Sequence, residues 1–177
     1  TLVNDLLSLT RIERIEHSPP NEKVDLVEII KEVEQICIDR DLFKKIKCKF
    51  KIIKKKNEII GDSPELKQVF LNIIENAVTH SNSKKTVIVK LENVNSSVNF
   101  SVEDFGIGIP NENIPLLTKR FYRVDEARSR NSGNTGLGLS IVKHIVNRHN
   151  AELDISSIEG KGTKFSIMFN KDKPSLL

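Results

Sequence analysis

An α/β two-layer sandwich is the fold class this sequence predicts, and three observations predict it. Apolar residues recur with helical spacing in some segments and alternate strictly in others, so helices and half-buried strands are both present. The strands come in consecutive pairs, TVIVKLEN with SVNFSVED and AELDISSI with TKFSIMFN, each joined by a short turn. Helices fall between these pairs, an order that argues for a sheet covered by helices on one side rather than a doubly wound parallel sheet.

The elements follow in order. TLVNDLLSLTRIERIE has apolar residues at 2, 3, 6, 7, 9, 12 and 15, close to a heptad seam, and reads as the end of a coiled or bundled helix. Pro19 and Pro20 in HSPPNEK stop it. DLVEIIKEVEQICIDRDLF is an amphipathic second helix with Leu26, Ile29, Ile30, Val33, Ile36 and Cys37 on one side. KIKCKFKII alternates, with Ile46, Cys48, Phe50 and Ile52 on one face and Lys47, Lys49 and Lys51 on the other. A turn at KKKNE and a short return strand in EIIGD come next. Pro64 opens a helix running to about Thr79. After the first strand pair, NIPLLTKRFYR reads as a short helical run, and LGLSIVKHIVNRH as the last helix before the final hairpin around EGKG.

Composition bounds the function. With 38% hydrophobic and 29% charged residues in a chain of 177, this is one ordinary globular domain plus an additional element. Tryptophan is absent and the other aromatics number nine, so the core is aliphatic. The net charge of +4 accommodates an anionic ligand without demanding nucleic acid. Eight of the thirteen residues from Lys44 to Lys56 are lysine, yet no aromatic side chain stands on the lysine side to stack bases, so a solvated strand face is expected. Cys37 and Cys48 have no metal-like spacing and are read as reduced core thiols. No stretch has the roughly 18 apolar residues of a membrane span.

Two features carry chemistry. In LNIIENAVTH, Asn72 and Asn76 stand four residues apart and therefore lie one above the other on a helix, although amides need polar partners when buried. Five of the eight glycines fall in two places, DFGIGIP and SGNTGLGLS. Gly136 and Gly138 lead into a helix, whose free N–H groups make an anion site suited to phosphate; a plain loop and cap is the competing reading. Asp104 stands at the exit of a strand beside Gly106 and Gly108, where a carboxylate can accept a hydrogen bond from an exocyclic amine such as that of adenine; ordinary turn chemistry is the alternative. Neither place is a Walker loop, and Gly160-Lys161-Gly162-Thr163 lacks the first glycine and the following helix of one.

Taken in order, these stretches resemble the catalytic, ATP-binding domain of sensor histidine kinases. LKQVFLNIIENAVTH is similar to the N box, VEDFGIGIP to the first glycine box, LLTKRFYRVD to the F box and NTGLGLSIVKHIV to the second glycine box. RFYRVDEARSR and IVKHIVNRH are similar in wording to the phosphate-regulon sensor kinases. The resemblance implies the sandwich shared with gyrase and Hsp90, a mixed, mostly antiparallel sheet of about five strands on about three helices, preceded by the end of a dimerisation helix. It implies Mg2+ and ATP as cofactors. Asn76 is the implied metal ligand; Asp104, Gly106, Gly108, Ile109, Tyr122, Arg123, Gly136, Leu137 and Gly138 are the implied nucleotide contacts. Arg123 is also implied to reach the phosphates, and Phe121 and Tyr122 to form the base of a lid over Val124 to Thr135. Asn72 matches the position where hydrolytic relatives place a glutamate that activates water, and an amide cannot serve as that base. Glu75 points about 100° away on an ideal helix and is expected to be solvent-facing or salt-bridged. Thr79 and His80 depart from the lysine and tyrosine that many members carry, which removes a cationic contact to phosphate.

The acceptor histidine of such kinases lies on an earlier helix, and none of the four histidines fits that place. His17 is followed at once by Ser18-Pro19-Pro20, and His144 and His149 read as structural. The expected organisation is residues 1–17 as the end of a dimerisation and phosphoacceptor hairpin, 18–23 as linker, 24–172 as the catalytic domain and 173–177 as a tail. The implied activity is transfer of the γ-phosphoryl group to a histidine on the dimerisation domain, for relay to an aspartate of a response regulator. A degenerate nucleotide-binding regulator of the same fold is the alternative. The implied parent is a homodimer anchored in the bacterial inner membrane with this domain in the cytoplasm.

Overall fold

A computed structural model describes residues 3, 6, 7, 10, 19–53, 55–82, 84–124 and 135–171. Its sheet is five-stranded and mixed. In chain order the elements are β1 (Glu22–Asp25), α1 (Leu26–Asp39), β2 (Lys47–Ile52), β3 (Glu58–Gly61), α2 (Ser63–His80), β4 (Thr86–Val94), β5 (Ser97–Glu103), a 3-10 turn (Asn111–Leu116), α3 (Gly138–Arg148), β6 (Glu152–Ile158) and β7 (Gly162–Asn170). The sheet order is β2-β4-β5-β7-β6, with β2 parallel to β4 and the remaining neighbours antiparallel. Three α-helices cover one face, as the two-layer reading expects.

Two of the helices begin at a capping aspartate, whereas α3 starts behind Leu137 without a side-chain cap. The Asp25 carboxylate accepts from Val27 N at 3.0 Å and also from Asn57 N at 3.0 Å, tying the start of α1 to the segment before β3. Asp62 caps α2 by accepting from Glu65 N at 3.1 Å, with Pro64 in the first turn. The alternating strands bury Val87, Val89 and Leu91 of β4 and Val98, Phe100 and Val102 of β5 against Phe70, Ile73 and Ile74 of α2. Phe70 stacks on Phe100 at 4.1 Å and meets Phe169 edge-on at 6.2 Å, so three of the few aromatics join helix to sheet. Cys37 and Cys48 are free thiols, and burial pushes them up to about 11 and about 12, so they act as small hydrophobes.

Two pairings differ from the simplest reading of the sequence. The return strand β3 forms, but it pairs antiparallel with the short β1, not with β2. The open side of β2 is instead an edge, because β2 joins β4 in parallel across α2. The last helix starts at Gly138 and the NIPLLTKRFYR run is a 3-10 turn followed by irregular turns. Of the heptad seam, Val3, Leu6 and Leu7 are exposed; the remainder, with His17, lies outside the described residues.

The ends of α2 and α3 meet in a buried polar cluster. Arg148 Nη1 lies 2.6 Å from Glu65 Oε2, with both side chains almost fully covered. His149 is buried, its Nε2 accepting from Asp62 N at 3.0 Å while Nδ1 lies 2.8 Å from the Ile145 carbonyl. Nδ1 must therefore carry the hydrogen, which fixes the neutral tautomer. Burial lowers the imidazole pKa, as this arrangement requires. The structural role expected of His149 is what the fold gives it.

Candidate functional site

The asparagine pair is explained by its place on α2. Its core face carries Leu66, Val69, Phe70, Ile73, Ile74 and Ala77, whereas Asn72 and Asn76 are half-buried along the edge of that stripe. Asn72 Nδ2 donates to the Gly138 carbonyl at 3.3 Å, and a Cβ on Gly138 would lie only 3.7 Å from the Asn72 amide carbon. The second glycine stretch thus begins its helix against Asn72. Two turns further along α2, the His80 carbonyl faces Gly106, where an added Cβ would come within 1.9 Å. Residues 72, 76 and 80 share one stripe, the first and last about 12 Å apart at 1.5 Å rise per residue. Asn76 therefore sits between the two glycine stretches, one touching the helix below it and one above.

Asp104 leaves β5 with its backbone N–H bonded to the Thr163 carbonyl at 2.8 Å. Its side chain is buried, and Oδ1 accepts from Gly106 N at 2.8 Å. Two carboxylate oxygens offer about four acceptor positions, so the N–H groups of Gly106 and Thr163 leave capacity unused. Desolvation raises the Asp104 pKa, opposed by the N–H groups of Gly106 and Thr163. A desolvated carboxylate with an acceptor to spare is poised to take a donor from a ligand.

The loop after Asp104 is clamped to the β6–β7 hairpin by close backbone approach. Gly108 has φ +67 and lies where a Cβ would meet the Ile158 carbonyl at 2.1 Å; Gly162, φ +125, faces the Asp104 carbonyl equally closely. Ser157 secures the contact: its hydroxyl accepts from Ile109 N at 2.8 Å and donates to the Gly162 carbonyl at 3.0 Å, so the hydrogen shared with Thr163 at 2.9 Å comes from Thr163. Sequence reasoning placed Ser157 in a strand and Thr163 at the turn and strand that follow it, neither as a site residue. Their single signal was a hydroxyl at the turn end of each strand, too common to mark a site.

On the other side, Phe121 adopts φ +60, is exposed, and donates its N–H to the Gly136 carbonyl at 3.0 Å. The Tyr122 hydroxyl donates to Asn113 Oδ1 at 2.9 Å, and Arg123 is half-buried beside it. The Thr135 hydroxyl accepts from Leu137 N at 3.2 Å, and the Leu137 side chain is fully buried. Glu75 pairs with Arg40 at 3.2 Å, one of the two roles expected for it. Of the lid segment, residues 125–134, with Arg128 and Arg130, lie outside the described residues.

Among the described residues no cluster of three or more His, Cys, Asp or Glu side chains is placed to hold a metal ion. A hard cation here would have the Asn76 amide oxygen as its protein ligand, with phosphate oxygens and water completing the shell. That is the sparse donor set suited to Mg2+. The half-buried Asn76, flanked by backbone that approaches closely at both glycine stretches, fits such a group.

Comparison with known proteins gives concordant results. The model of the family described as "Histidine kinase-, DNA gyrase B-, and HSP90-like ATPase" matches residues 61–173. The phosphate regulon sensor protein PhoR of Pseudomonas aeruginosa is 34% identical over 172 residues, covering 95% of this chain and 38% of that protein. The sensor protein kinase WalK of Staphylococcus haemolyticus is 37% identical over 172 residues, 94% of this chain and 27% of its own length. The chain thus spans well under half of these relatives. The mycobacterial sensor histidine kinase MprB superposes with a TM-score of 0.74 at 29% identity, over 84% of this chain and 97% of that one. Full-length ShkA in complex with AMPPNP, at 24% identity and a TM-score of 0.78, covers 99% of this chain with 36% of its own and speaks for the fold alone.

Proposed function

Because this chain belongs to the histidine kinase-, DNA gyrase B- and HSP90-like ATPase family, and its relatives include sensor histidine kinases, we propose that it binds Mg-ATP and hands the γ-phosphoryl group to a histidine on the dimerisation domain of its parent kinase. The observation that supports this most is the α2 stripe: Asn76 stands between Asn72, against Gly138, and the His80 carbonyl, against Gly106. A nucleotide laid along this stripe has Asp104 at its base end and the start of α3 at its phosphate end.

In this reading the Asp104 carboxylate uses its spare acceptor capacity to accept from the adenine amine, while Gly106, Gly108 and Ile109 form the wall beside the base. Gly136, Leu137 and Gly138 lead into α3 and bring its first N–H groups to the phosphates, where helix-end dipoles favour anions. Mg2+, when bound, supplies positive charge against the phosphate oxygens, and Asn76 holds it. Tyr122 and Arg123 stand at the rim, Arg123 serving as a cationic contact for the transferring group. Asn72 spends its amide hydrogen on Gly138 and offers no base to water. The γ-phosphoryl group is therefore retained for the histidine. Partners in this reading are the dimerisation and histidine-phosphotransfer domain, the receiver domain of a response regulator and a second copy of the parent, which is anchored in the bacterial inner membrane with this domain in the cytoplasm. Residues 1–17, 18–23, 24–172 and 173–177 keep the division proposed from the sequence. Among the described residues no helix is long and apolar enough to cross a membrane.

Calorimetric titration of ATP with Mg2+ tests the site. Asn76→Ala should weaken binding only where metal is present, and Asp104→Asn should reduce the preference for adenine over guanine nucleotides. Unchanged titrations for both variants would refute the assignment. A separately supplied dimerisation hairpin should then take label from γ-labelled ATP. Tight binding without any transfer would favour the degenerate regulator.

A further inference from the structure

The lysine-rich segment is not used by the site just described. Residues 44–56 contain eight lysines and no acidic residue; removing those eight from the 28 basic residues of the chain leaves 20 against 24 acidic, a net charge of −4. The molecule is therefore strongly polarised: +8 in thirteen residues and −4 in the other 164. The structure shows how these charges are displayed. Lys47, Lys49 and Lys51 are all exposed on the outer face of β2, while Cys48, Phe50 and Ile52 turn inward against the core. At about 3.3 Å per residue the three ammonium stems rise from a line about 13 Å long. Lys44 and Lys45 extend the line at one end, and Lys55 and Lys56 at the other, all exposed.

The stripe is not neutralised from within. Lys51 is in register with Lys90 of β4, placing like charges side by side, an arrangement that opposes pairing. No carboxylate among the described residues forms an ion pair with Lys45, Lys47, Lys49, Lys51 or Lys90; Lys44 and Lys56, at the flanks, pair with Asp41 and Glu58. Lysine is a common protection of an edge strand against strand addition, but the row here continues past both ends of β2, which edge protection does not require. The stripe also lies at the opposite edge of the sheet from the β6–β7 hairpin that clamps the Asp104 loop, so it is open whether or not the site is occupied.

We infer that this lysine-faced edge is a docking surface for an anionic lipid bilayer. Three features select a bilayer over other anionic partners. Every cation in the stripe is lysine, a flexible point charge, and none is arginine, whose rigid fork suits the bidentate recognition of a particular carboxylate or phosphate. The outward row of β2 holds no aromatic or apolar anchor of the kind that dominates protein interfaces. It also has no ring on which a nucleic-acid base could stack. What remains is a row of flexible cations on a molecule whose other residues carry a net charge of −4. A negatively charged plane attracts the row and repels the remainder, which orients the domain.

The test is sedimentation of the 177-residue chain with vesicles of phosphatidylglycerol and phosphatidylethanolamine, against vesicles of phosphatidylcholine alone. The chain should pellet with the anionic vesicles only, and release should be progressive as salt rises from 0.05 to 0.5 M, roughly the range over which the screening length shrinks from above 10 Å to below 5 Å. Replacing Lys47, Lys49 and Lys51 together with glutamine should weaken partitioning about 100-fold, following the contribution of a basic residue near an anionic surface. Lys31→Gln with Lys161→Gln and Lys23→Gln, an equal loss of charge elsewhere, should weaken it far less. Circular dichroism of both triple variants checks that they are folded. Equal pelleting with neutral vesicles, or equal losses in the two triple variants, overturns the inference. Retention by single-stranded DNA of matched charge without retention by vesicles would overturn it in favour of nucleic acid.

Discussion

Replacing Gly106 with alanine adds one methyl group at the tightest glycine contact among the described residues. The new Cβ would stand 1.9 Å from the His80 carbonyl oxygen and 2.8 Å from its carbon, both backbone atoms in the last turn of α2. Ordinary contact begins at 3.4 Å, so the loop and the helix end must part by about 1.5 Å. That turn is held by the bond from Ser81 N to the Ala77 carbonyl, and the loop by Asp104 Oδ1 on Gly106 N, so neither side yields freely. Overpacking of this kind costs about 1–3 kcal/mol. For a domain of this size each kcal/mol lowers Tm by about 2–4 °C. The loop that moves is the one that aims Asp104, so nucleotide affinity should fall at least about tenfold, the equivalent of ~1.4 kcal/mol. Gly160→Ala is the control: its Cβ meets nothing within 4 Å, but φ is +78, so it carries backbone strain of about 1–2 kcal/mol and adds no clash to the Asp104 loop, which its N–H already holds through the Ile107 carbonyl at 2.7 Å. Thermal melts combined with ATP titration of both variants decide the matter. Gly160→Ala should lose stability alone, and Gly106→Ala stability and affinity together. Normal ATP affinity in a destabilised Gly106→Ala protein would refute the claim that the His80–Gly106 contact sets the site.

Arg148→Ala should destabilise the fold by roughly 3–5 kcal/mol in chemical denaturation, because it leaves the covered Glu65 carboxylate without its cation. His149 predicts an acid-side loss. Its pKa is lowered by burial, so stability is full above the unfolded value near 6.5 and falls as pH drops below it toward the folded value, since only the unfolded chain takes up the proton there; melts of His149→Gln between pH 5 and 7 should lack this component. Asp104 has the opposite sign: its raised pKa means the ionised side chain disfavours the folded state above the unfolded value near 3.8, so Asp104→Asn should raise Tm at pH 7 while impairing adenine selectivity. Asn72→Glu should raise phosphate release from ATP above that of Asn72→Gln, by far less than the roughly 100- to 10,000-fold of an optimised general base.

The helices and strands were legible because their periodicities are local. Pro64 at the start of α2 and the alternation through Val87, Val89 and Leu91 place elements within a few residues. Partnership was not legible. The same alternation in KIKCKFKII suits a hairpin with EIIGD or a parallel join to TVIVKLEN, and long-range packing, not pattern, chose the latter. Residues 22–25 form a strand only because β3 lies beside them. At the site, the spacing of Asn72 and Asn76 predicted a shared face. That Asn72 bonds the Gly138 carbonyl, and that Gly106 backs onto a helix end 26 residues earlier in the chain, depended on the close approach of distant backbone, for which a glycine is a permission and not an address.

The neutral ring of His149 has one more implication. Imidazole attacks phosphorus through a nitrogen lone pair, and a neutral imidazole has only one such pair in the ring plane. In His149 that pair is directed at the Asp62 N–H, and the other nitrogen bears the hydrogen held by the Ile145 carbonyl. In a protein proposed to deliver phosphoryl groups to histidine, this histidine is chemically mute. Its two backbone partners, which join the end of one helix to the start of another, also remove it from the pool of nucleophiles that could intercept the transferred group.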